Sequence, residues 1–224
     1  MGTGPGASRR PPTVAAVSES LETSTPREPR EPGWSLAAQA WRRRPLALAL
    51  ALVATATVVA LRLGWSTALP AYLVLCAAGV TLAAIDVRTL RLPDAVLLPT
   101  GGVVLAVLGV AALADGTGGA FLRAVLAAAA GFGIFLVLAL VNPSGLGLGD
   151  VKLAAVLGLA LGHLGWEAAF VGLLAAFVLM SAVGVVLLAL RRVTRSSALP
   201  FGPFMLLGAL LALVADPLGG AGTF

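Results

Sequence analysis

The amino-acid sequence predicts an all-α fold: a polytopic membrane helix bundle of about seven transmembrane helices, N-in and C-out. Of its 224 residues, 59% are hydrophobic and only 11% are charged, whereas about a quarter of the residues in soluble domains are charged. The apolar residues form long uncharged stretches, and most basic residues lie between these stretches or before them. This composition excludes an ordinary water-soluble globule. In a membrane protein, Lys and Arg residues set the orientation of the helices, so the net charge of +5 does not indicate nucleic-acid binding. We therefore expect the lipid bilayer, and no nucleic acid, as a partner.

Residues 1–44 differ from the rest of the chain. They hold six of the 14 prolines and seven of the 15 basic residues, with too little apolar surface to form a core. We therefore expect a disordered cytoplasmic tail over residues 1–44 and a transmembrane domain over residues 45–224.

The intervals between charged residues predict the helices of this domain. About 20 apolar residues are needed to cross roughly 30 Å of hydrocarbon. Seven uncharged stretches follow residue 44, of which only the fifth is short: 45–61, 63–85, 95–114, 124–149, 153–166, 168–190 and 196–215. Two alternatives remain for the fifth stretch: its helix begins inside the preceding Gly-rich segment, or the segment is re-entrant.

Basic residues decide whether segment 153–166 crosses the membrane. If all seven segments cross and the tail is cytoplasmic, only Arg62 and Arg123 lie outside, against 13 basic residues inside. If segment 153–166 did not cross, the arginine cluster at 191–195 would lie outside, against the positive-inside tendency. The seven-helix topology is therefore preferred.

Two aspartates lie at the predicted cytoplasmic ends of helices. Asp86 follows the second uncharged stretch, and Asp150 lies two crossings later, so both belong to the same membrane face. Two neighbouring carboxylates in a low-dielectric site share a proton, which is the division between acid and base that an aspartyl protease needs. Position alone favours the alternative of two unrelated charges at helix ends.

Glycines and a lysine surround Asp150. Gly145, Gly147 and Gly149 precede the aspartate, and Lys152 follows it. Residues without side chains let a substrate strand or a neighbouring helix approach closely, although membrane helices also use glycine for packing.

Three motifs, in one order, give this region a family resemblance. Residues 145–153 read GLGLGDVKL, residues 85–94 read IDVRTLRLPD, and residues 199–204 read LPFGPF. They resemble the GxGD motif, the Ile-Asp…Leu-Pro-Asp motif and the Pro-Phe-Gly-Pro-Phe segment of the type IV prepilin peptidase family. The resemblance covers about residues 46–210.

The resemblance implies a bacterial cytoplasmic-membrane enzyme with Asp86 and Asp150 as its catalytic pair. Such an enzyme cuts the basic leader from prepilin or pseudopilin precursors at the cytoplasmic face. Gly147, Gly149 and Lys152 would then shape the site. We expect Asp94 to cap its helix, since Asp is a favoured N-cap residue.

The sequence departs from many members of that family in its cysteines. Those members carry two Cys-x-x-Cys pairs in a domain associated with methylation of the processed pilin, whereas Cys76 is the single cysteine here. We therefore expect peptidase activity without methyltransferase activity, and neither a metal nor another cofactor.

A proton-coupled transporter is the alternative function. Carboxylates in membranes often mark ion paths, and Asp86 with Asp150 would form the relay. Against this alternative, no acid lies near the middle of a predicted span, and the sequence has no convincing internal repeat of the kind common in carriers.

Overall fold

The computed structural model describes residues 33–142, 145–192 and 199–215. The secondary structure of these ranges is helical, in agreement with the predicted all-α class. Its helices are α1 (Gly33–Arg43), α2 (Pro45–Leu63), α3 (Leu69–Thr89), α4 (Asp94–Asp115), α5 (Gly118–Val141), α6 (Leu148–Leu164), α7 (Trp166–Ala189) and α8 (Gly202–Ala215).

Each of the seven predicted segments overlaps one of the helices α2 to α8. Helices suit these segments because an α-helix satisfies its own backbone hydrogen bonds where lipid offers none. Five of them, α2, α3, α4, α5 and α7, are long and apolar enough to cross a membrane. Helix α6 has 17 residues and α8 has 14, so the number of crossings and their orientation stay predictions.

Helix α1 lies inside the predicted disordered tail, and over residues 33–43 that prediction is wrong. The α1 residue Trp41 donates from Nε1 to Oγ1 of Thr81 on α3 at 3.1 Å. Gly33 lies against Pro93, since a Cβ added to it would be 2.5 Å from the Pro93 Cβ. The prediction averaged the composition over 44 residues and so did not detect this short segment, which contacts α3 and α4. Residues 1–32 of the predicted tail lie outside the described ranges.

Helix α6 is the most deeply packed element of the described bundle. It holds ten buried residues and contacts α4, α5, α7 and α8. A Cβ added to Gly158 would lie 2.6 Å from the carbonyl oxygen of Ala127 on α5. Small residues allow this backbone contact, which is how membrane helices associate tightly.

The C-terminal end of α6 is held from α5. Arg123 donates from Nε to the Gly162 carbonyl at 2.8 Å and from Nη2 to the His163 carbonyl at 3.0 Å. These bonds satisfy acceptors that a helix leaves unpaired at its last turn. Arg123 thus fixes the C-terminal end of α6 to α5. The opposite end of α6 carries the aspartate site described below.

Candidate active site

Asp86 is a buried carboxylate near the C-terminal end of α3. Its residue is only 4% exposed, and its Oδ2 accepts a hydrogen bond of 2.9 Å from the backbone N–H of Gly202, the first residue of α8. Helix α3 ends three residues later, where Leu90 adopts a left-handed conformation with φ of 51°. That turn redirects the chain so that Leu92 returns beside Gly202.

Asp150 lies in the first turn of α6, at the third helical position. The backbone N–H of Gly147, the N-cap residue, donates to Asp150 Oδ2 at 3.2 Å. The carboxylate thus pairs with a backbone donor just before the helix, at the positive end of the helix dipole. This places the acid at the helix end, as the glycine-rich sequence before it predicts.

The environment of Asp150 changes its acidity. Burial raises the pKa of this carboxyl to about 6, the Gly147 hydrogen bond partly opposes that rise, and the negative charge of Asp86 adds to it. Asp150 lies outside the five helices that are long enough to cross the membrane. The influence of Asp86 means that two carboxylates 64 residues apart in the sequence interact within one site.

Leu92 joins the elements that carry the two aspartates. A Cβ added to Gly149 would lie 2.9 Å from the Leu92 Cβ, and one added to Gly202 would lie 3.4 Å from the Leu92 Cδ2. One leucine side chain therefore packs against the residue before Asp150 and against the hydrogen-bond donor of Asp86. Gly149 leaves the space that this packing requires.

Gly147 and Lys152 have different relations to Asp150. A Cβ added to Gly147 would lie 3.3 Å from Asp150 Oδ2, so a side chain there would crowd the carboxylate. Lys152 turns instead to Asp94 of α4, and its Nζ lies 2.7 Å from each carboxylate oxygen. Both partners are partly exposed, at 34% and 55%.

The expected capping role of Asp94 is wrong. Pro93 is the N-cap residue of α4, and no side chain caps the helix. Asp94 follows Pro93 as the first helical residue and uses its carboxylate for the ion pair with Lys152. Its charge still lies at the positive end of the α4 dipole.

Sequence reasoning missed Gly202 and Leu92 as parts of the site. Gly202 lies in the LPFGPF segment, which the sequence marks by its motif, but nothing local identifies its N–H as the donor to a carboxylate 116 residues away. Leu92 likewise lies in a motif, as the leucine of Leu-Pro-Asp, but nothing local shows that its side chain reaches both helix ends. A motif therefore marked each segment, and neither motif revealed the contact.

Metal ligands do not cluster in the described parts of the chain. Within residues 33–142, 145–192 and 199–215, no group of three His, Cys, Asp or Glu side chains has an arrangement that could hold an ion. The acid pair is therefore the chemically distinctive feature of the described ranges.

The chain is similar to one protein family and to several known proteins. Residues 73–186 match the model of the type IV leader peptidase family. The prepilin leader peptidase/N-methyltransferase of Aeromonas hydrophila is 34% identical over 77% of this chain and 58% of its own length. The protein of that name from Burkholderia pseudomallei (strain 1026b) is 38% identical over 62% of this chain and 44% of its own.

The matched part is thus less than two thirds of either relative, and no solved structure matches the chain. The family match covers both Asp86 and Asp150, with the whole of α6 and all of α3 except its first four residues. It extends over half of the sequence, which is enough to assign membership. The chain belongs to the type IV leader peptidase family.

Proposed function

We propose that this protein is an intramembrane aspartyl endopeptidase that removes the leader peptide from prepilin or pseudopilin precursors. The observation that carries the proposal is the packing of Leu92 against both Gly149, which precedes Asp150, and Gly202, which donates to Asp86, so that the two acids lie at adjoining helix ends. Membership of the family supports the reaction class, and the names of the relatives support prepilin as the substrate.

The proposed mechanism divides acid and base between the two aspartates. Two carboxylates that interact at close range titrate as a pair, so one holds a proton while the other is ionised. The ionised aspartate takes a proton from water as the oxygen attacks the scissile carbonyl carbon. The protonated aspartate gives its proton to the carbonyl oxygen. When the C–N bond breaks, the aspartate that took the proton from water passes it to the leaving amine, and the other aspartate regains a proton from the gem-diol as the new carboxyl group forms.

The neighbouring residues position this pair. The Gly202 N–H orients the Asp86 carboxylate through its 2.9 Å hydrogen bond, and Gly147 does the same for Asp150. Gly149 allows Leu92 to pack between the two helix ends. Lys152 fixes the first turn of α6 to α4 through Asp94. These four groups act on the geometry of the carboxylates and not on the substrate.

We propose that the site faces the cytoplasm. The arginines Arg44 and Arg88 lie at the same end of the helix pair α2 and α3 as Asp86. Basic residues concentrate on the cytoplasmic side of membrane proteins. A precursor with a basic leader and an apolar helix would then meet the carboxylates at the bilayer surface where it is synthesised.

We also propose that these 224 residues cleave without methylating the new N-terminus. The sequence contains a single cysteine, Cys76, which lies within α3. The paired Cys-x-x-Cys motifs associated with methylation in the resembling family therefore have no counterpart in this sequence. The mass of the processed pilin N-terminus, produced in cells whose only peptidase of this family is this chain, tests the proposal. A processed N-terminus that is heavier by one methyl group would contradict the proposal.

Co-expression with a pilin precursor encoded in the same genome tests the peptidase. We expect wild type to shorten the precursor, and Asp86→Asn or Asp150→Asn to abolish the shortening, because each keeps the side-chain size and removes the acid. Asp115→Asn is the matched control, since Asp115 ends α4 and bonds to Thr67 away from the pair. Full cleavage by either variant of the pair would refute the two-aspartate mechanism. Cleavage by none of the four, with folded protein and several precursors, would favour the transporter alternative.

A further inference from the structure

An elongated apolar cavity lies between α2, α3 and α8. Its volume is about 550 Å³, and its lining is almost wholly apolar. The cavity follows the helix pair from Arg44 and Arg88 at one end to Val59 and Tyr72 at the other. Helices α2 and α3 run in opposite directions, so the start of α2 and the end of α3 lie together. The cavity therefore has one basic end and one apolar end.

The two arginines are the charged residues of the cavity lining. Both side chains are exposed, and within the described ranges neither forms an ion pair with a carboxylate. The nearby acids are already engaged: Asp94 pairs with Lys152, and Asp86 accepts its hydrogen bond from Gly202. The basic end is thus available to an anionic group.

The volume of the cavity is too small to enclose a whole transmembrane helix. A helix of 20 residues is about 30 Å long and at least 10 Å wide, which corresponds to roughly 2,400 Å³ as a cylinder. The cavity offers less than a quarter of that volume. An extended acyl chain is long and narrow enough. The arginines also disfavour the basic leader that the proposed substrate carries, whereas they complement a phosphate.

We propose that this cavity is a binding site for an anionic phospholipid of the surrounding bilayer. One acyl chain lies between α2 and α3 along the small side chains Ala51 and Ala84, and the headgroup phosphate binds between Arg44 and Arg88. Basic pockets between membrane helices recognise anionic headgroups in this way. The site is separate from the aspartate pair, so the proposal does not depend on the peptidase activity.

Native mass spectrometry of the purified full chain tests the headgroup assignment. The protein is exchanged into micelles that contain either phosphatidylglycerol or phosphatidylcholine, and the fraction that retains one lipid is measured. We expect retention of phosphatidylglycerol to exceed that of phosphatidylcholine. Arg44→Gln and Arg88→Gln should each weaken retention about fivefold, the effect of one basic residue near a membrane surface. Arg42→Gln, a neighbouring exposed arginine outside the cavity lining, should leave it unchanged.

A second pair of variants tests the acyl-chain assignment. Ala51 and Ala49 are both exposed alanines of α2, but only Ala51 lines the cavity. Ala51→Leu narrows the cavity and should lower phosphatidylglycerol retention, whereas Ala49→Leu should not. A phosphatidylglycerol with a photoreactive group along one acyl chain should crosslink to α2 and α3.

Four results would overturn the proposal. Equal retention of the two lipids, or equal loss in Arg42→Gln and in the cavity variants, would mean that the lipid binds only as part of the annulus. Crosslinks confined to other helices would place the acyl chain elsewhere. Displacement of the lipid by a peptide that contains the apolar helix of a pilin precursor, with crosslinks from that peptide to Ala51 and Ala84, would assign the cavity to the substrate.

Discussion

Replacing Gly202 with alanine moves the carboxylate of Asp86 without altering either acid. The added Cβ would lie 2.8 Å from Asp86 Oδ2 and 3.4 Å from its Cγ. An ordinary contact begins at 3.4 Å, so the oxygen must retreat by about 0.6 Å. Asp86 lies on a packed helix, so its carboxylate can move only by rotation. That rotation takes Oδ2 away from the Gly202 N–H, from which it accepts a hydrogen bond.

The size of the effect follows from that hydrogen bond. A hydrogen bond to a charged group contributes about 1.5–3 kcal/mol. If the transition state needs the carboxylate in this orientation, loss of the hydrogen bond lowers the cleavage rate roughly 10- to 150-fold. Stability should fall by at most about the same amount, and the better helix propensity of alanine partly offsets that fall.

The assay is the initial rate at which purified protein shortens a pilin precursor, together with thermal unfolding. Gly133→Ala on α5 is the matched control, since nothing lies within 4 Å of its added Cβ. A double variant, Gly202→Ala with Leu92→Ala, separates the two contacts of the new methyl group. Recovery of activity in the double variant would assign the loss to Leu92. A wild-type rate in folded Gly202→Ala would refute the positioning of Asp86 by Gly202.

Two further predictions concern Asp150 and Lys152. The pKa of Asp150 is about 6 in the folded protein and lower in the unfolded chain, so the folded state binds more protons and loses stability as pH rises through about 4 to 6. We expect Asp150→Asn to raise the unfolding temperature at pH 7.5 and not at pH 4; equal shifts at both pH values would contradict this linkage. Lys152→Gln breaks an ion pair whose partners are 34% and 55% exposed, so we expect a loss of stability under about 1 kcal/mol. Asp94→Asn should match it, and a double variant should add nothing further in denaturant unfolding.

The helices were predictable because each depends on its own segment. A long apolar stretch in a membrane must be helical, whatever its neighbours are. Charges were less reliable as boundaries of the helices. Helix α6 begins at Leu148, inside the preceding Gly-rich segment, which is one of the two alternatives that the sequence left open for the short fifth stretch. The charged residues Asp150 and Lys152 lie in its first turns. Charges at a helix N-terminus are compatible with the helix, and Asp150 is stabilised there.

Only those parts of the site that motifs and the positions of charges indicate were predictable from the sequence. Sequence reasoning singled out Asp86 and Asp150, and it also put them at one membrane face. It could not identify the Gly202 donor or the Lys152–Asp94 pair, because both join residues far apart in sequence through helix positions that only packing determines. The same reason explains α1: its attachment depends on Thr81 and Pro93, which lie on other elements.

The shortness of α6 and the pairing of the acids belong together. From Asp150 to Leu164 the helix rises about 21 Å, against roughly 30 Å of hydrocarbon. If Leu164, whose neighbour His163 accepts from Arg123, marks one boundary of the apolar layer, the bilayer must thin by about 9 Å around α6 for Asp150 to reach the opposite surface. A lone carboxylate left inside the apolar layer would be costly. On the proposed mechanism Asp150 shares a proton with Asp86, so the pair carries one negative charge, and the donors at Gly147 and Gly202 partly compensate it. A helix too short for the full bilayer therefore keeps the acid pair at the surface, where the proposed reaction takes up its water.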